Sequence, residues 1–250
     1  MTFTHARYDD VHRGRHVCLP FETESEKLDA AAAFLIEGLT RGKRCLFIGT
    51  PQEMAELADA LEAAAGICVS RARSRGRLVF ATPEEAYLKD GVFQPQLVLD
   101  RIEQNVREAI ADGFTGLYAT GELVYEPADE DWRRVVWYEA QLNETFARLP
   151  FAALCRYPRS VVPARRVQDV LRTHPVAIVR GASCRNPFYE RNQLALSDDS
   201  QARLDWQLRQ LRVQNRAEQH LENQTYSAVV AAAELATQVA ALRAQLDSTD

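Results

Sequence analysis

Between Arg15 and Gly181 the chain alternates short apolar runs with longer stretches in which apolar residues recur at helical spacing. Several of the short runs lack strict alternation of polar and apolar residues, which is typical of strands covered on both faces. The apolar runs predict strands at His16–Leu19, Arg44–Gly49, Leu78–Ala81, Gly116–Thr120, Phe151–Tyr157 and Val176–Arg180. The helical patterns predict helices at Ser25–Thr40, Pro51–Ala65, Gln94–Asp112, Glu130–Arg148 and Pro163–Thr173.

Strands and helices that alternate in this order predict an α/β fold in three layers, with a doubly wound, mostly parallel sheet in the middle. Two segments start with a capping hydroxyl, a proline and a glutamate in the third helical position, Thr50-Pro51-x-Glu53 and Thr82-Pro83-x-Glu85. Both patterns are typical of helix N-termini. Ligands of such sheets bind beyond the carboxyl ends of the strands, so we expect a site at that edge.

After Gly181 the pattern changes to an irregular stretch and then to a long helical tract that starts near Asp198. Apolar and small residues follow a heptad spacing there, which is typical of a coiled coil. We therefore predict a homodimer through residues 200–246, with a helix that folds back onto its own core as the alternative. The heptad positions are Leu221, Thr225, Ala228, Ala232, Leu235, Val239, Leu242 and Leu246.

The composition is that of an ordinary globular protein, with 250 residues, 46% of them hydrophobic, 26% charged, and a formal net charge of −5. This mild acidity argues against a nucleic-acid platform, which needs clustered Lys and Arg. The basic cluster from Arg71 to Arg77 lies between a predicted helix and a predicted strand. We interpret it as a solvated loop, with a phosphate or partner patch as the alternative.

The sequence contains no signal of membrane insertion or secretion. No apolar run approaches the roughly 18 residues of a membrane span, and the first residues are polar. The five cysteines, at positions 18, 45, 68, 155 and 184, are widely spaced and lack a C-x-x-C pair. This pattern indicates reduced thiols, and we predict a cytoplasmic protein without a membrane partner.

The first predicted strand, helix and strand, from Arg15 to Thr50, resemble the start of RecA-like ATPases of the KaiC type. Lys27 occupies the position of the P-loop lysine, but the glycines are replaced by Phe21-Glu-Thr-Glu-Ser-Glu26 and the Mg²⁺-binding hydroxyl by Leu28. The strand that would carry the Walker-B acid reads Leu117-Tyr-Ala-Thr-Gly121 and contains no aspartate. The sequence thus predicts a degenerate P-loop, no nucleotide cofactor, and a Lys27 exposed on a helix surface.

A series of short motifs follows one consistent order between about residues 12 and 190: His16-x-Cys18, Gly121-Glu122-Leu123, Tyr138-Glu139-x-x-Leu142-Asn143, Leu154-Cys155-x-Tyr157, His174-Pro175 and Asn186-Pro187-x-Tyr189. Together they resemble the MEDS family of sensory domains, which was defined around the DcmR regulator and is similar in fold to KaiC. The resemblance implies a sensor of small hydrocarbon derivatives attached to an output module. It implies an N-terminal arm (1–14), a sensor domain (15–190) and a helical tail (191–250).

The candidate ligand site gathers polar and aromatic residues at the carboxyl edge of the sheet. If the strand order is RecA-like, the strand at 151–157 lies beside the first strand, which brings Cys18, Cys155 and Tyr157 together with Glu122. Family members often carry Tyr- or Trp-rich segments after this acid, where this chain has Leu123-Val124-Tyr125. The predicted ligand-binding residues are His16, Cys18, Phe21, Glu122, Tyr125, Cys155 and Tyr157.

Several of these side chains have two interpretations. His16, Cys18 and Cys155 have the ligand types of a zinc-like metal site, whereas buried cysteines are also common in plain cores. Glu139 is either a solvated helix carboxylate or a partner of Arg156 or Arg180. His174 is expected to cap the preceding helix as a cation or a hydrogen-bond donor.

No catalytic motif accompanies these residues, since the chain lacks a G-x-S-x-G elbow, an H-E-x-x-H helix and a glycine-rich phosphate loop. We therefore predict a non-catalytic sensor that binds a small molecule and signals through a dimerising helix, with a separate signalling protein as a further partner. The alternative is an interaction scaffold with a vestigial pocket that acts through its coiled coil.

Overall fold

The computed structural model describes residues 16–89, 91–122 and 129–247. The strands are β1 (His16–Phe21), β2 (Arg44–Ile48), β3 (Leu78–Ala81), β4 (Leu88–Lys89), β5 (Val92–Phe93), β6 (Leu117–Glu122), β7 (Phe151–Pro158), β8 (Val176–Val179) and β9 (Ala182–Arg185). The helices are α1 (Glu24–Thr40), α2 (Pro51–Ala65), α3 (Val69–Ser74), α4 (Pro83–Tyr87), α5 (Pro95–Ala111), α6 (Asp129–Arg148), α7 (Ala164–Thr173), α8 (Asn192–Ala195) and α9 (Ser200–Asp247).

The main sheet has seven strands in the order β3-β2-β6-β7-β1-β8-β9, and only β9 runs antiparallel to its neighbour. The predicted α/β fold with a mostly parallel sheet is confirmed. The predicted pairing of the first strand with the strand at 151–157 is also correct, because β1 pairs with β7 and aligns Cys18 with Cys155. A short β4–β5 hairpin stands apart from this sheet.

The helix starts follow from local capping chemistry. Thr50 and Thr82 each accept a hydrogen bond from the backbone of a glutamate three residues on, whose carboxylate returns the contact, as the sequence predicts. Thr23 forms the same pair of hydrogen bonds, which is called a capping box, with Glu26 at the start of α1. These boxes satisfy backbone donors that helix geometry leaves without partners, so each start is fixed by nearby residues.

The structure contains short elements that the sequence analysis did not predict, namely α3, the β4–β5 hairpin, β9 and α8. The predicted loop around Arg71 contains the short helix α3, because Val69 and Ala72 lie one turn apart and are both buried. The stretch after Gly181 begins with strand β9, which forms a hairpin with β8 through Arg180 and Gly181. Both turn residues have positive φ, 49° and 74°, as tight two-residue hairpins require.

Two hydrophobic clusters form the core, and the alternation of strand residues decides which cluster each side chain joins. Val17, Leu19 and Leu154 pack with residues of α1, α2 and α3. Cys18 and Ala153 belong to the other cluster, with residues of α5, α6 and α7. Because successive side chains point to opposite faces, one face of β1 and β7 is directed toward α6.

The chain divides into two compact units, one ending at Ser197 and the other starting at Asp198. The second unit consists of α9, whose 48 residues make one continuous helix. Several of its heptad positions are exposed, including Leu221 at 64% and Leu235 at 61%. None of the described helices has the combination of length and apolar character that crossing a membrane requires.

Candidate functional site

A group of polar side chains lies in the centre of the first unit, where β1 and β7 face α6. We call His16, Glu139, Cys155, Tyr157 and His174 the central polar cluster. His16 comes from β1, Cys155 and Tyr157 from alternate positions of β7, Glu139 from α6, and His174 from the residue that ends α7. The parallel register of β1 and β7 places these strand side chains on the face that α6 covers.

Glu139 is the hub of the central polar cluster and is buried. The Tyr157 hydroxyl donates to its Oε1 at 2.6 Å, and its Oε2 lies 3.0 Å from His16 Nε2. The same Oε2 lies 3.6 Å from His174 Nε2 and 3.9 Å from Cys155 Sγ. Burial raises the pKa of Glu139, and His174, Tyr157 and Cys155 oppose this effect.

The two histidines are held in defined tautomers. The Asn143 Nδ2 donates to the Thr173 carbonyl at 2.8 Å, so the Asn143 oxygen faces His16 Nδ1 at 3.1 Å and accepts a hydrogen bond from it. His174 Nδ1 donates to the Val170 carbonyl at 2.8 Å. The Nε2 atoms of both rings therefore carry lone pairs directed at Glu139.

Burial lowers the pKa of both histidines to about 3, and the neighbouring His16 adds to the shift at His174. Both rings are consequently neutral near pH 7. The prediction that His174 caps the helix end is correct as a hydrogen bond to Val170, but a cationic His174 is wrong. The prediction for Glu139 is wrong in both forms, since it is buried and bonds to His16 and Tyr157 instead of to water or an arginine.

The two cysteines at the β1–β7 pair differ in their surroundings. Cys18 is completely buried, and its thiol donates to the Val176 carbonyl at 3.6 Å. Cys155 is less buried, and its Sγ lies 3.6 Å from His16 Nε2. Burial and the charge of Glu139 raise the pKa of both thiols, which makes them poor nucleophiles at neutral pH.

Glu122 belongs to a separate group of ion pairs at the carboxyl edge of the sheet. Lys27 Nζ lies 2.5 Å from Glu24, 2.7 Å from Glu53 and 3.5 Å from Glu122. Arg156 Nη1 approaches Glu53 at 3.7 Å, and its Nη2 donates to the Ile48 carbonyl at 2.6 Å. We call Lys27, Glu53, Glu122 and Arg156 the edge ion cluster.

The prediction that Lys27 is a surface residue is wrong, because only 7% of it is exposed. Burial opposes its charge, but hydrogen bonds to Glu24 and Glu53 and the Glu122 carboxylate raise the pKa of Lys27. Burial opposes the charge of Glu53 as well, but Lys27, the Thr50 backbone and Arg156 lower the pKa of Glu53. The amphipathic pattern of α1 gave no sign of Glu53 and Glu122 as partners, since they come from α2 and β6.

The remaining predicted site residues lie apart from the central polar cluster. Phe21 is buried in the first hydrophobic cluster, with its ring centroid 5.4 Å from Lys27 Nζ. Tyr125 lies outside the described residues. Of the residues predicted from the sequence, the structure brings together His16, Cys155 and Tyr157. Cys18 pairs with Cys155 and lies in the same hydrophobic cluster, but its thiol bonds to Val176. Phe21 and Glu122 take other positions.

A cavity of about 400 Å³ lies beside the central polar cluster, and Cys155 forms part of its wall. Most of the lining is apolar and comes from the sheet and from α5 and α6. Tyr87 of α4 also lines it, and a side chain at Gly121 would overlap the Tyr87 hydroxyl. A second cavity of about 20 Å³, enough for one water, is lined by Cys155, Glu139 and Tyr157.

Glu139, Asn143 and His174 are site residues that the sequence analysis did not identify as such. They were visible as parts of the motifs Tyr138-Glu139-x-x-Leu142-Asn143 and His174-Pro175. The spacing of Glu139 and Asn143 by four residues places both on one face of a helix, which was the available signal. Nothing in the chain pattern showed that this face meets His16, which is more than a hundred residues away.

A comparison with models of protein families gives a match. The family model described as the MEthanogen/methylotroph, DcmR Sensory domain, MEDS, matches residues 15–175. This range includes every residue of the central polar cluster and of the edge ion cluster. No curated protein matches the chain.

Proposed function

This chain belongs to the MEDS family of sensory domains, and we propose that it binds a small, largely apolar molecule in the cavity beside Cys155 and transmits the binding through α9. The observation that carries the proposal is the cavity itself. Its volume of about 400 Å³ falls within the usual range of ligand pockets in proteins.

The lining of the cavity suggests the chemical class of the ligand. Leu46, Val98, Ile102 and Leu142 contribute apolar surface, which favours hydrocarbon groups by removing them from water. Polar side chains such as Tyr87 occupy only part of the wall and can orient a single polar substituent. A simple hydrocarbon derivative, such as a short alcohol, ketone or haloalkane, matches this combination.

A cavity-filling substitution tests the ligand site. Ile102 of α5 lines the cavity, whereas Ile110 of the same helix is exposed and lies outside it. We expect at least one short alcohol, ketone or haloalkane to raise the thermal midpoint of the wild type, because a ligand at about 100 times its Kd adds about 2.7 kcal/mol of stability. Ile102→Trp should abolish that increase, and the matched Ile110→Trp should keep it.

Two outcomes would contradict the proposal. The first is that no compound of this class stabilises the wild type at any concentration below its own solubility. The second is that Ile102→Trp and Ile110→Trp respond to the compounds equally. The second outcome would favour the scaffold interpretation, in which the cavity has no ligand and the helix alone mediates contacts.

For the output we propose a homodimer through the heptad positions of α9 between residues 200 and 246, to which a separate signalling protein can respond. The exposed apolar side chains Leu221, Leu235 and Val239 support this, since burial against a second helix would remove them from water. Leu235→Lys should shift the chain to monomers in sedimentation equilibrium. Gln238→Lys, which adds the same charge outside the heptad seam, should not.

We further propose that the domain has no catalytic or nucleotide-dependent activity. Lys27 is surrounded by the carboxylates of Glu24, Glu53 and Glu122, which neutralise its charge and would repel a triphosphate. Isothermal titration with Mg-ATP should therefore give no heat of specific binding. Saturable binding at micromolar concentrations would contradict this part of the proposal.

A further inference from the structure

Within the part of the chain that the structure describes, one buried nitrogen atom of the central polar cluster lacks a hydrogen-bond partner. His174 is 0% exposed, and its Nδ1 already donates to the Val170 carbonyl. Among the described residues its Nε2 has no hydrogen-bond partner, and it lies 3.6 Å from Glu139 Oε2. A buried acceptor without a partner costs free energy, so this lone pair needs an explanation.

Three further ligand-type atoms converge on the same point. His16 Nε2 lies 3.0 Å from Glu139 Oε2, and Cys155 Sγ lies 3.6 Å from His16 Nε2 and 3.9 Å from Glu139 Oε2. All four atoms, from His16, Glu139, Cys155 and His174, lie within 4.8 Å of one another. They come from β1, α6, β7 and the end of α7, so the fold itself assembles the group.

We propose that His16, Glu139, Cys155 and His174 bind one divalent metal ion of the zinc type. A tetrahedral zinc ion with ligands at about 2.0–2.3 Å has ligand-to-ligand distances of about 3.3–3.6 Å. Four of the six separations between these atoms, 3.0, 3.6, 3.6 and 3.9 Å, bracket that range, and the other two do not exceed 4.8 Å. Small side-chain adjustments would bring them to the tetrahedral values.

Hydrogen bonds with neighbouring residues orient candidate ligands of the site in the way that metal binding requires. His16 donates its Nδ1–H to the Asn143 oxygen and His174 donates its Nδ1–H to the Val170 carbonyl, so both present the Nε2 lone pair to the same centre. The Tyr157 hydroxyl holds Glu139 Oε1, which leaves Oε2 for the metal. Three of the four ligands, His16, Glu139 and His174, are thus oriented by partners that do not themselves bind the ion.

Charge and ligand type narrow the choice of metal. A divalent ion with two neutral imidazoles, one carboxylate and one thiolate forms a neutral group, which a buried site favours. Nitrogen and sulfur ligands select borderline metals such as Zn²⁺ over Mg²⁺ and Ca²⁺, which prefer oxygen. The site goes beyond the proposed sensory function and does not depend on it. Because Cys155 is a ligand of the site and also lines the cavity, the ion would nevertheless lie next to the cavity.

Metal binding is tested on the full chain, stripped with a chelator under reducing conditions and then loaded with Zn²⁺ or Co²⁺. We expect one zinc ion per chain after gel filtration. The cobalt form should show the intense visible absorption of a tetrahedral site together with a thiolate-to-cobalt band in the near ultraviolet. Cys155→Ser should remove the thiolate band, and His174→Gln should weaken zinc binding at least about tenfold in competition with a chelating dye.

Matched controls separate this site from other binding. Cys18→Ala removes a buried thiol from the neighbouring strand and His220→Gln removes an exposed histidine of α9, and both should keep the stoichiometry and the cobalt spectrum. Far-ultraviolet circular dichroism establishes that each variant is folded. The proposal is overturned if the folded wild type retains no zinc, or if folded Cys155→Ser and His174→Gln bind it as tightly as the wild type. Either result leaves the ligand test with Ile102→Trp unaffected.

Discussion

Removal of the Tyr157 hydroxyl is the most direct perturbation of the central polar cluster. Tyr157→Phe deletes one oxygen atom, keeps the aromatic ring in place, and changes none of the four candidate metal ligands. The lost hydrogen bond runs from this hydroxyl to Glu139 Oε1 at 2.6 Å between two buried side chains. It is the only hydrogen bond to that oxygen among the described residues.

The expected loss of stability follows from that burial. A buried acceptor that loses its donor costs about 1–3 kcal/mol. The neighbouring cavity of about 20 Å³ can hold one water, which would partly replace the lost hydroxyl. The lower end of the expected energy range corresponds to this replacement. We expect about 2 kcal/mol, which corresponds to a decrease of about 4–8 °C in the thermal midpoint of a domain of this size.

Tyr118→Phe is the matched control. Tyr118 is also a buried tyrosine of the sheet, but its hydroxyl lies 3.4 Å from Glu37, whose carboxylate also pairs with Arg41. Its removal leaves no carboxyl oxygen without a partner, so the expected loss is below about 0.5 kcal/mol. The assay is urea unfolding of metal-free protein, with the midpoint and the slope compared among the three proteins.

The reasoning would be refuted by equal losses in Tyr157→Phe and Tyr118→Phe, or by no loss in Tyr157→Phe at an unchanged slope. A double-mutant cycle with Glu139→Gln gives a second check. If the two residues interact as described, the cycle should show a coupling energy of about 0.5–3 kcal/mol. Additive losses would mean that Tyr157 stabilises the fold through its ring alone.

Two further predictions concern charge. Lys27→Met should reduce the free energy of unfolding in urea by up to about 3–5 kcal/mol, because it leaves the partly buried Glu53 and Glu122 carboxylates without their lysine, and a loss below about 1 kcal/mol would contradict the edge ion cluster. In metal-free protein, acid should weaken the fold below pH 6.5, since the unfolded chain then protonates His16 and His174 while the folded rings, with pKa values of about 3, stay neutral. The raised pKa of Glu139 acts in the opposite direction, because a carboxyl group that is protonated in the fold contributes stability at low pH that is lost as the pH rises through its folded pKa. The wild type is therefore compared with His174→Gln, and the difference in their free energies of unfolding should shrink by up to about 1.4 kcal/mol per pH unit below 6.5, whereas a constant difference would contradict a neutral His174.

The sequence by itself determined most of the elements of the first unit. Apolar runs and helical stripes are local patterns, and caps such as the box of Thr50 and Glu53 act within a single turn, so both can be read along the chain. The family motifs also lie in the sequence, and the family match over residues 15–175 agrees with them. The prediction failed locally at β9, whose residues lack an apolar pattern because it is an edge strand closed by the Arg180–Gly181 turn.

Only the tertiary structure decided which polar residues meet. Lys27 lies on helix α1, whose apolar periodicity predicts which face of the helix is buried. The periodicity does not show the carboxylates that approach Lys27 from α2 and β6. Glu139 and His174 each have an ordinary surface interpretation in the sequence, and it is the packing of α6 and α7 against β1 that buries them together. The physical reason is that the pKa, the tautomer and the ligand capacity of a side chain depend on neighbours that are distant along the chain, whereas periodicity reports only neighbours within a few residues.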